Sequence, residues 1–195
     1  MKRRDFLKGA AVAPAAVAVS RWSRAAEALG ATGPRISAVV YDERYSDCRV
    51  FADAMVRHGA AQFAIAGDAG SVWYGALREH LSQHGGSVAG MTTDSDLGVS
   101  RECGREIGMR IGYEGSHDGR SAGLLKHLLR GDDRANAVYA ALLRDDGAWA
   151  ASIAAALPSA TLADRIVAMA STPTLTTPQI DGYRGYLTSW LITPA

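Results

Sequence analysis

The sequence predicts an α/β fold: a three-layer sandwich with a mostly parallel sheet of four or five strands, plus additional C-terminal helices. Three observations predict it. Short apolar runs rich in β-branched or small residues recur at 36–41, 62–66 and 88–91. Each is followed by a stretch with apolar residues at helical spacing, and glycines at 59, 85, 86 and 108 close those stretches. Strands alternating with helices in this way imply parallel pairing with helices covering both faces.

Residues 36–41 read as a buried strand, after which Ser46 or Asp47 can cap a helix carrying Val50, Phe51, Ala54 and Met55 inward. Residues 62–66 form a second strand. Residues 68–71 open a second helix, with Val72, Trp73, Ala76, Leu77 and Leu81 on one side. A third strand, 88–91, precedes a helix capped by Asp94, Ser95 or Asp96, with Leu97, Val99, Cys103 and Ile107 inward. A short fourth strand spans 110–113, and the Gly- and Asp-containing stretch 115–120 reads as a loop. Helical pattern resumes at 121–129, continues from Asp132 and Asp133 through Leu143, and returns in the Ala-rich 149–157 and in 161–169. Residues 171–178, with two prolines and four threonines, read as irregular. The β-branched and aromatic content of 186–192 favours a last strand over a helix continuing from Gln179.

The alternation resembles flavodoxin-like and Rossmann-like domains in general architecture. Right-handed crossovers in such sheets put the first and third helices on opposite faces. Cys48 and Cys103, the two cysteines of the chain, would then lie too far apart for a disulfide. Both read as reduced, structural thiols.

The N-terminus carries a different kind of information. Lys2-Arg3-Arg4-Asp5-Phe6-Leu7-Lys8 places a paired arginine, one polar residue and Phe-Leu-Lys in register. Behind it, residues 9–19 are small, weakly apolar and uncharged, and Pro14 interrupts them. That stretch is shorter than the roughly 20 residues of a bilayer anchor. It resembles a bacterial twin-arginine signal peptide, with Arg3, Arg4, Phe6 and Leu7 as the export motif. The resemblance implies handling by the twin-arginine translocation machinery, crossing of the membrane in the folded state, and a periplasmic address. It also implies removal of residues 1–28, with Ala26-Glu27-Ala28 as the cleavage site, leaving 29–195 as a single α/β domain with a helical C-terminal part.

Export changes the charge balance. The whole chain has 21 basic and 20 acidic residues, of which 15 and 18 remain beyond residue 28, a net charge of about −3. A mildly acidic domain lacks the electrostatic footprint of a nucleic-acid binder. No segment of the mature part is long and apolar enough for a membrane anchor.

Ligands of open parallel sheets bind at the carboxyl ends of the strands. Those ends supply Asp42 and Glu43, Asp68, Thr92 and Thr93 with Asp94, and Glu114 followed by His117. Converging carboxylates can hold a divalent cation or a cationic ligand, and a carboxylate beside His117 can act as a general acid–base pair. His117, Asp42 and Asp94 are therefore the candidate catalytic residues. Glu43, Asp68, Thr92, Thr93 and Glu114 are candidate binding residues. The competing role is local, because Asp and Ser at strand-to-helix turns cap the following helix.

Other motifs are incomplete. The turn at 67–71 lacks the spacing of a phosphate loop or of G-x-G-x-x-G. His80 and His84 have a metal-compatible spacing but no third ligand. No G-x-S-x-G elbow is present, Cys103 reads as packing, and His58 and His127 read as surface residues. Trp73, Tyr74, Trp149 and Trp190 fit core packing better than a ligand wall.

These observations favour a periplasmic ligand-binding or accessory protein without catalysis. The alternatives are a periplasmic hydrolase using the acidic crevice with His117, with or without a metal, and a small subunit co-exported with an oxidoreductase. Neither a cofactor nor a metal is specified by any motif. The expected partners are the translocation machinery and either a co-exported protein or a small-molecule ligand.

Overall fold

The computed structural model describes residues 35–120, 123–131, 133–145, 147–159, 174–178 and 185–195. The export motif at Arg3, Arg4, Phe6 and Leu7, the cleavage site expected at 26–28 and the helix expected at 161–169 lie outside the described residues.

The described strands form one seven-stranded sheet. They are β1 (Ile36–Asp42), β2 (Ala61–Ile65), β3 (Ser87–Thr92), β4 (Met109–Asp118), β5 (Leu124–Gly131), β6 (Thr174–Pro178) and β7 (Tyr186–Pro194), in the order β2-β1-β3-β7-β4-β5-β6. The helices are α1 (Ser46–Arg57), α2 (Ala69–Val72), α3 (Arg78–His84), α4 (Asp94–Glu106), α5 (Asp133–Leu142) and α6 (Trp149–Ala156). A π-helical turn, Trp73–Leu77, joins α2 to α3.

The sheet is mixed, which corrects the expected mostly parallel sheet of four or five strands. β2, β1 and β3 pair in parallel, whereas β7 is antiparallel to both β3 and β4, and β5 and β6 extend the antiparallel half. The difference arises between residues 113 and 131. The short fourth strand continues through the expected loop to Asp118, and the helix expected at 121–129 is replaced by β5. The segment expected to be irregular contains β6, and 186–192 does form a strand.

Each face of the sheet has its own core. Val39, Met91, Leu129 and Leu191 pack with Phe51 and Met55 of α1, Val138 and Leu142 of α5, and Ile153 of α6. Their strand neighbours Val40, Val88, Trp190 and Ile192 point the other way, against Trp73, Leu77 and Leu97. This alternation is the two-residue period of a strand covered on both sides. Cys48 belongs to the first core and Cys103 to the second, and both are free thiols, as the crossover argument expects. Burial pushes both thiols up.

β7 is threaded through the middle of this arrangement. Trp190 is fully buried and lies across Gly90 of β3, where an added Cβ would sit 2.1 Å from the indole. The indole N–H donates to Thr92 Oγ1 at 3.1 Å. Glycine at position 90 is therefore a space requirement, not a conformational one.

A bulge in β4 decides which of its side chains face each core. Along β4 and β7, Ile111 pairs with Ile192 but Tyr113 pairs with Leu191, so Gly112 is an extra residue in the ladder. Without that bulge Ile111 and Tyr113 would share a face. With it, Ile111 packs against the α4 side while Tyr113, and then Gly115 and His117, turn toward α5 and α6.

Candidate functional site

The strand ends hold their polar groups in separate places. Asp42 closes β1 with its side chain buried, and its carboxylate accepts the Arg44 backbone N–H at 3.0 Å. Arg44 also donates through Nε at 2.9 Å and through its terminal nitrogen at 2.6 Å, a bidentate fork that uses both oxygens. Asp42 thus fastens the turn between β1 and α1, and raises the pKa of the guanidinium through hydrogen bonding and charge. Glu43 beside it is exposed, and its carbonyl accepts a hydrogen bond from Arg49.

Asp68 is the N-cap of α2, accepting from the backbone N–H groups of Gly70 at 3.1 Å and Ser71 at 2.8 Å. For α4 the cap is Thr93, whose hydroxyl accepts from the N–H of Asp96 and donates to its carboxylate at 2.6 Å. Asp94 lies exposed in the first turn, where a negative charge favours the helix dipole. Thr92 is buried beneath Trp190. The cap expected from Ser46 or Asp47 does not form: the N-cap of α1 is Tyr45, with no side-chain cap bond.

Glu114 and His117 part company. Because β4 extends to Asp118, Glu114 is mid-strand, and it pairs with Arg101 of α4 at 2.6 Å. His117 occupies the opposite face, its ring packed 4.8 Å from that of Trp149 in α6. It has no solvent exposure.

The structure gathers a different set of groups around His117. Its Nε2 lies 2.8 Å from Ser189 Oγ, which is 3.0 Å from the Tyr113 hydroxyl. Its Nδ1 lies 2.8 Å from His127 Nδ1, and His127 Nε2 is 3.0 Å from Thr177 Oγ1. Five side chains from β4, β5, β6 and β7 so form one hydrogen-bonded chain, with Trp149 packed over both imidazoles. Gly115 makes room for it: a Cβ there would meet the Tyr113 hydroxyl at 2.5 Å and Ser189 Oγ at 2.7 Å.

Protons can run along this chain in either of two orders. If Tyr113 donates to Ser189, Ser189 donates to His117 Nε2, His117 Nδ1–H donates to His127, and His127 Nε2–H donates to Thr177. Every donor from Tyr113 through His127 then has an acceptor and the Thr177 proton has none in this chain; the reverse order satisfies Thr177 through Ser189 and leaves the Tyr113 proton without one. Both imidazoles must be neutral in either order. Burial, followed by the charge of His127, holds His117 well below its ordinary value, and burial lowers His127 to about 4 against a smaller opposing effect of Asp145. Burial also raises the Tyr113 phenol.

A hydroxyl, an imidazole and an orienting acceptor in sequence is the order of an activated nucleophile. Ser189, however, has no solvent exposure and lies between two paired strands, opposite Met91 on one side and Gly115 on the other. No acyl group reaches it in this conformation. The chain of hydrogen bonds instead ties the four antiparallel strands together.

Of this set, His117 alone is among the candidate residues that the sequence suggests. His127, read as a surface residue, is buried on β5. The missed signal is the alternation of Leu125, His127 and Leu129 with Lys126, Leu128 and Arg130, of which the first three are buried.

His80 and His84 do not converge on a metal. Their rings stack at 4.4 Å, His80 Nε2 bonds the Ser37 carbonyl, and His84 Nδ1 bonds the His80 carbonyl. Among the described residues, no group of three His, Cys, Asp or Glu side chains is placed to hold a metal ion.

Open concave surface lies elsewhere. A groove of about 520 Å³ runs between α5 and α6, lined by Ala137, Ala141, Arg144, Ser152 and Ala156. A second, of about 330 Å³, lies between α4 and the start of β4.

The family model of the TAT (twin-arginine translocation) pathway signal sequence matches residues 1–20. Searches of curated proteins and of solved structures returned no match. Among the described residues no helix is long and apolar enough to cross a membrane. The chain thus carries a twin-arginine signal, which directs export across the cytoplasmic membrane by the translocation machinery that reads it.

Proposed function

We propose that this is a periplasmic binding or accessory protein, exported folded, that works by contact rather than by catalysis. The observation that carries this reading is the engagement of the strand-end groups. Asp42 is clamped by Arg44, Asp68 caps α2, Glu114 pairs with Arg101, and His117 is sealed beneath Trp149. These groups hold the protein's own turns and strands, and freeing any of them for a substrate would break a local contact. Open surface among the described residues includes two helix-flanked grooves.

The test is recovery of the exported protein from the periplasm under gentle lysis. Co-purifying proteins and small molecules are identified by mass spectrometry, alongside a panel of ester, phosphate and glycoside substrates. A stoichiometric companion and no turnover is the expected result. Turnover abolished in both Asp42→Asn and His117→Gln, with folding intact, would establish the hydrolase instead. A cofactor-bearing oxidoreductase as the companion would identify the small-subunit role within the accessory class.

A further inference from the structure

The sheet ends on one side at β2, and that edge lacks the usual protection. Its sequence, Ala61-Gln62-Phe63-Ala64-Ile65, has no charge, proline or glycine, and its pairing with β1 runs without a register shift. Charges, prolines and bulges are what natural edge strands use to avoid pairing with another chain. Among the described residues, no hydrogen bond reaches the outer backbone groups of β2. Gln62 is exposed, and Phe63 is half-buried with its ring against His80 of α3.

The helix beside this edge is open on the same side. α6 packs between α1 and α5, and α5 lies over β4, β5 and β6. The flank of α1 away from α6 therefore overhangs β2. Arg49, Asp53 and Val56 share that flank by helical spacing, and all three are exposed, Val56 by 42%. Arg57 and His58, both exposed, lead into β2, and exposed Asp68 follows it.

We propose that β2 is the interface of a two-fold dimer, pairing antiparallel with β2 of a second copy and joining the two sheets into one. Pairing centred on Phe63 sets that ring opposite its own copy and Gln62 opposite Ala64. His58 and Asp68 lie equally far from Phe63 along the chain, so the basic end of each strand meets the acidic end of the other. Above them, Arg49 of each α1 faces Asp53 of its copy, with Val56 covered at the seam. An isologous contact needs a surface complementary to itself, and this edge carries both signs of charge about an apolar centre. That self-complementarity selects a second copy over a foreign strand, which the backbone groups alone would accept equally. The inference stands apart from the accessory reading.

The test is sedimentation velocity of the exported protein over a dilution series, with hydrogen exchange read at residues 61–65. A dimer that dissociates on dilution is expected, with amide protection in β2 that falls as it does so. Val56→Glu and Asp53→Arg should each weaken dimerisation about tenfold or more, by burying a charge and by setting like charges across the axis. Arg49→Asp combined with Asp53→Arg restores opposite charges and should recover the dimer, which a folding defect in the single variant would not allow. Leu143→Glu, exposed at the end of α5, should leave dimerisation unchanged. Far-UV circular dichroism checks folding in every variant. A monomer at all concentrations, a dimer that keeps its strength in both Val56→Glu and Asp53→Arg, or exchange in β2 that does not follow dissociation overturns the proposal. A different protein bound to a monomer overturns it too, while leaving the accessory reading standing.

Discussion

Acid should destabilise this protein through its buried histidine pair. Both imidazoles are neutral in the folded state and protonate readily once the chain unfolds. A group whose folded pKa is depressed binds fewer protons than its unfolded counterpart, so its stabilising contribution is complete above the unfolded value. That contribution is lost as pH falls from there toward the folded value. For His127 the window runs from the ordinary 6.5 down to about 4. Between about pH 8 and about pH 5 the linkage relation gives a loss of about 2 kcal/mol from His127 alone. His117, depressed by the same burial, adds to the loss in the same direction.

The decisive comparison is with His127→Leu. Near pH 8 that variant loses stability, because it leaves His117 Nδ1 and the Thr177 hydroxyl without their partner, at about 1–3 kcal/mol for each buried group. Its advantage appears in the slope. Urea midpoints measured across pH should fall less steeply in the variant than in the wild type, and the two curves should converge in acid. Parallel curves would refute the reasoning, as would a His127 ring signal in nuclear magnetic resonance that titrates near 6.5.

Two other outcomes come from the geometry and the signal. Gly90→Ala should destabilise by about 3 kcal/mol, measured by urea unfolding, since the new methyl group collides with a buried indole that has no space to yield. Replacing both Arg3 and Arg4 by lysine should leave the precursor in the cytoplasm, read by fractionation and immunoblot, because the pair is the feature that the translocation machinery recognises.

The parallel half of the fold was legible because its signals do not compete. Val39 and Val40 in β1, and Val88 and Met91 in β3, are apolar on both faces, and glycines end the intervening helices. The antiparallel half was not. In β5, Leu124, Leu125, Leu128 and Leu129 fit a helical stripe as well as they fit alternation, and pairing with β4 and β6 decides between them. Gly115 and the polar residues after it look like a loop, yet they lie within a paired strand. Gly115 leaves room for crossing side chains, and His117 satisfies its polarity on Ser189 and His127. The network escaped for the same reason. Its partners are 72 residues apart at His117 and Ser189 and 50 apart at His127 and Thr177, so the register of four strands brings them together, with no local spacing to announce it. Asp68, by contrast, was readable because capping is local.

The position of β7 connects this topology to the export route. The sheet can be completed only when residues 186–194 insert between β3 and β4, bringing Trp190 onto Gly90 and Ser189 onto His117. Both cores and the buried hydrogen-bonded chain depend on that late segment, whereas the paired arginines are synthesised first. Long-range pairing of this kind forms slowly and leaves apolar strand edges open until it is done. A chain threaded across a membrane unfolded would have to close the sheet on the far side, with Trp190 and both cores exposed in the interval. Export in the folded state, as proposed, would remove that interval: the protein would cross after β7 has closed the sheet, with Cys48 and Cys103 buried on opposite faces before they meet an oxidising compartment. Trapping should therefore show itself in the C-terminal strand: Trp190→Ala, which empties the contact with Gly90 and the bond to Thr92, should accumulate as unexported precursor even with Arg3 and Arg4 intact. Normal export of a demonstrably unfolded Trp190→Ala precursor would break the link between the topology and the route.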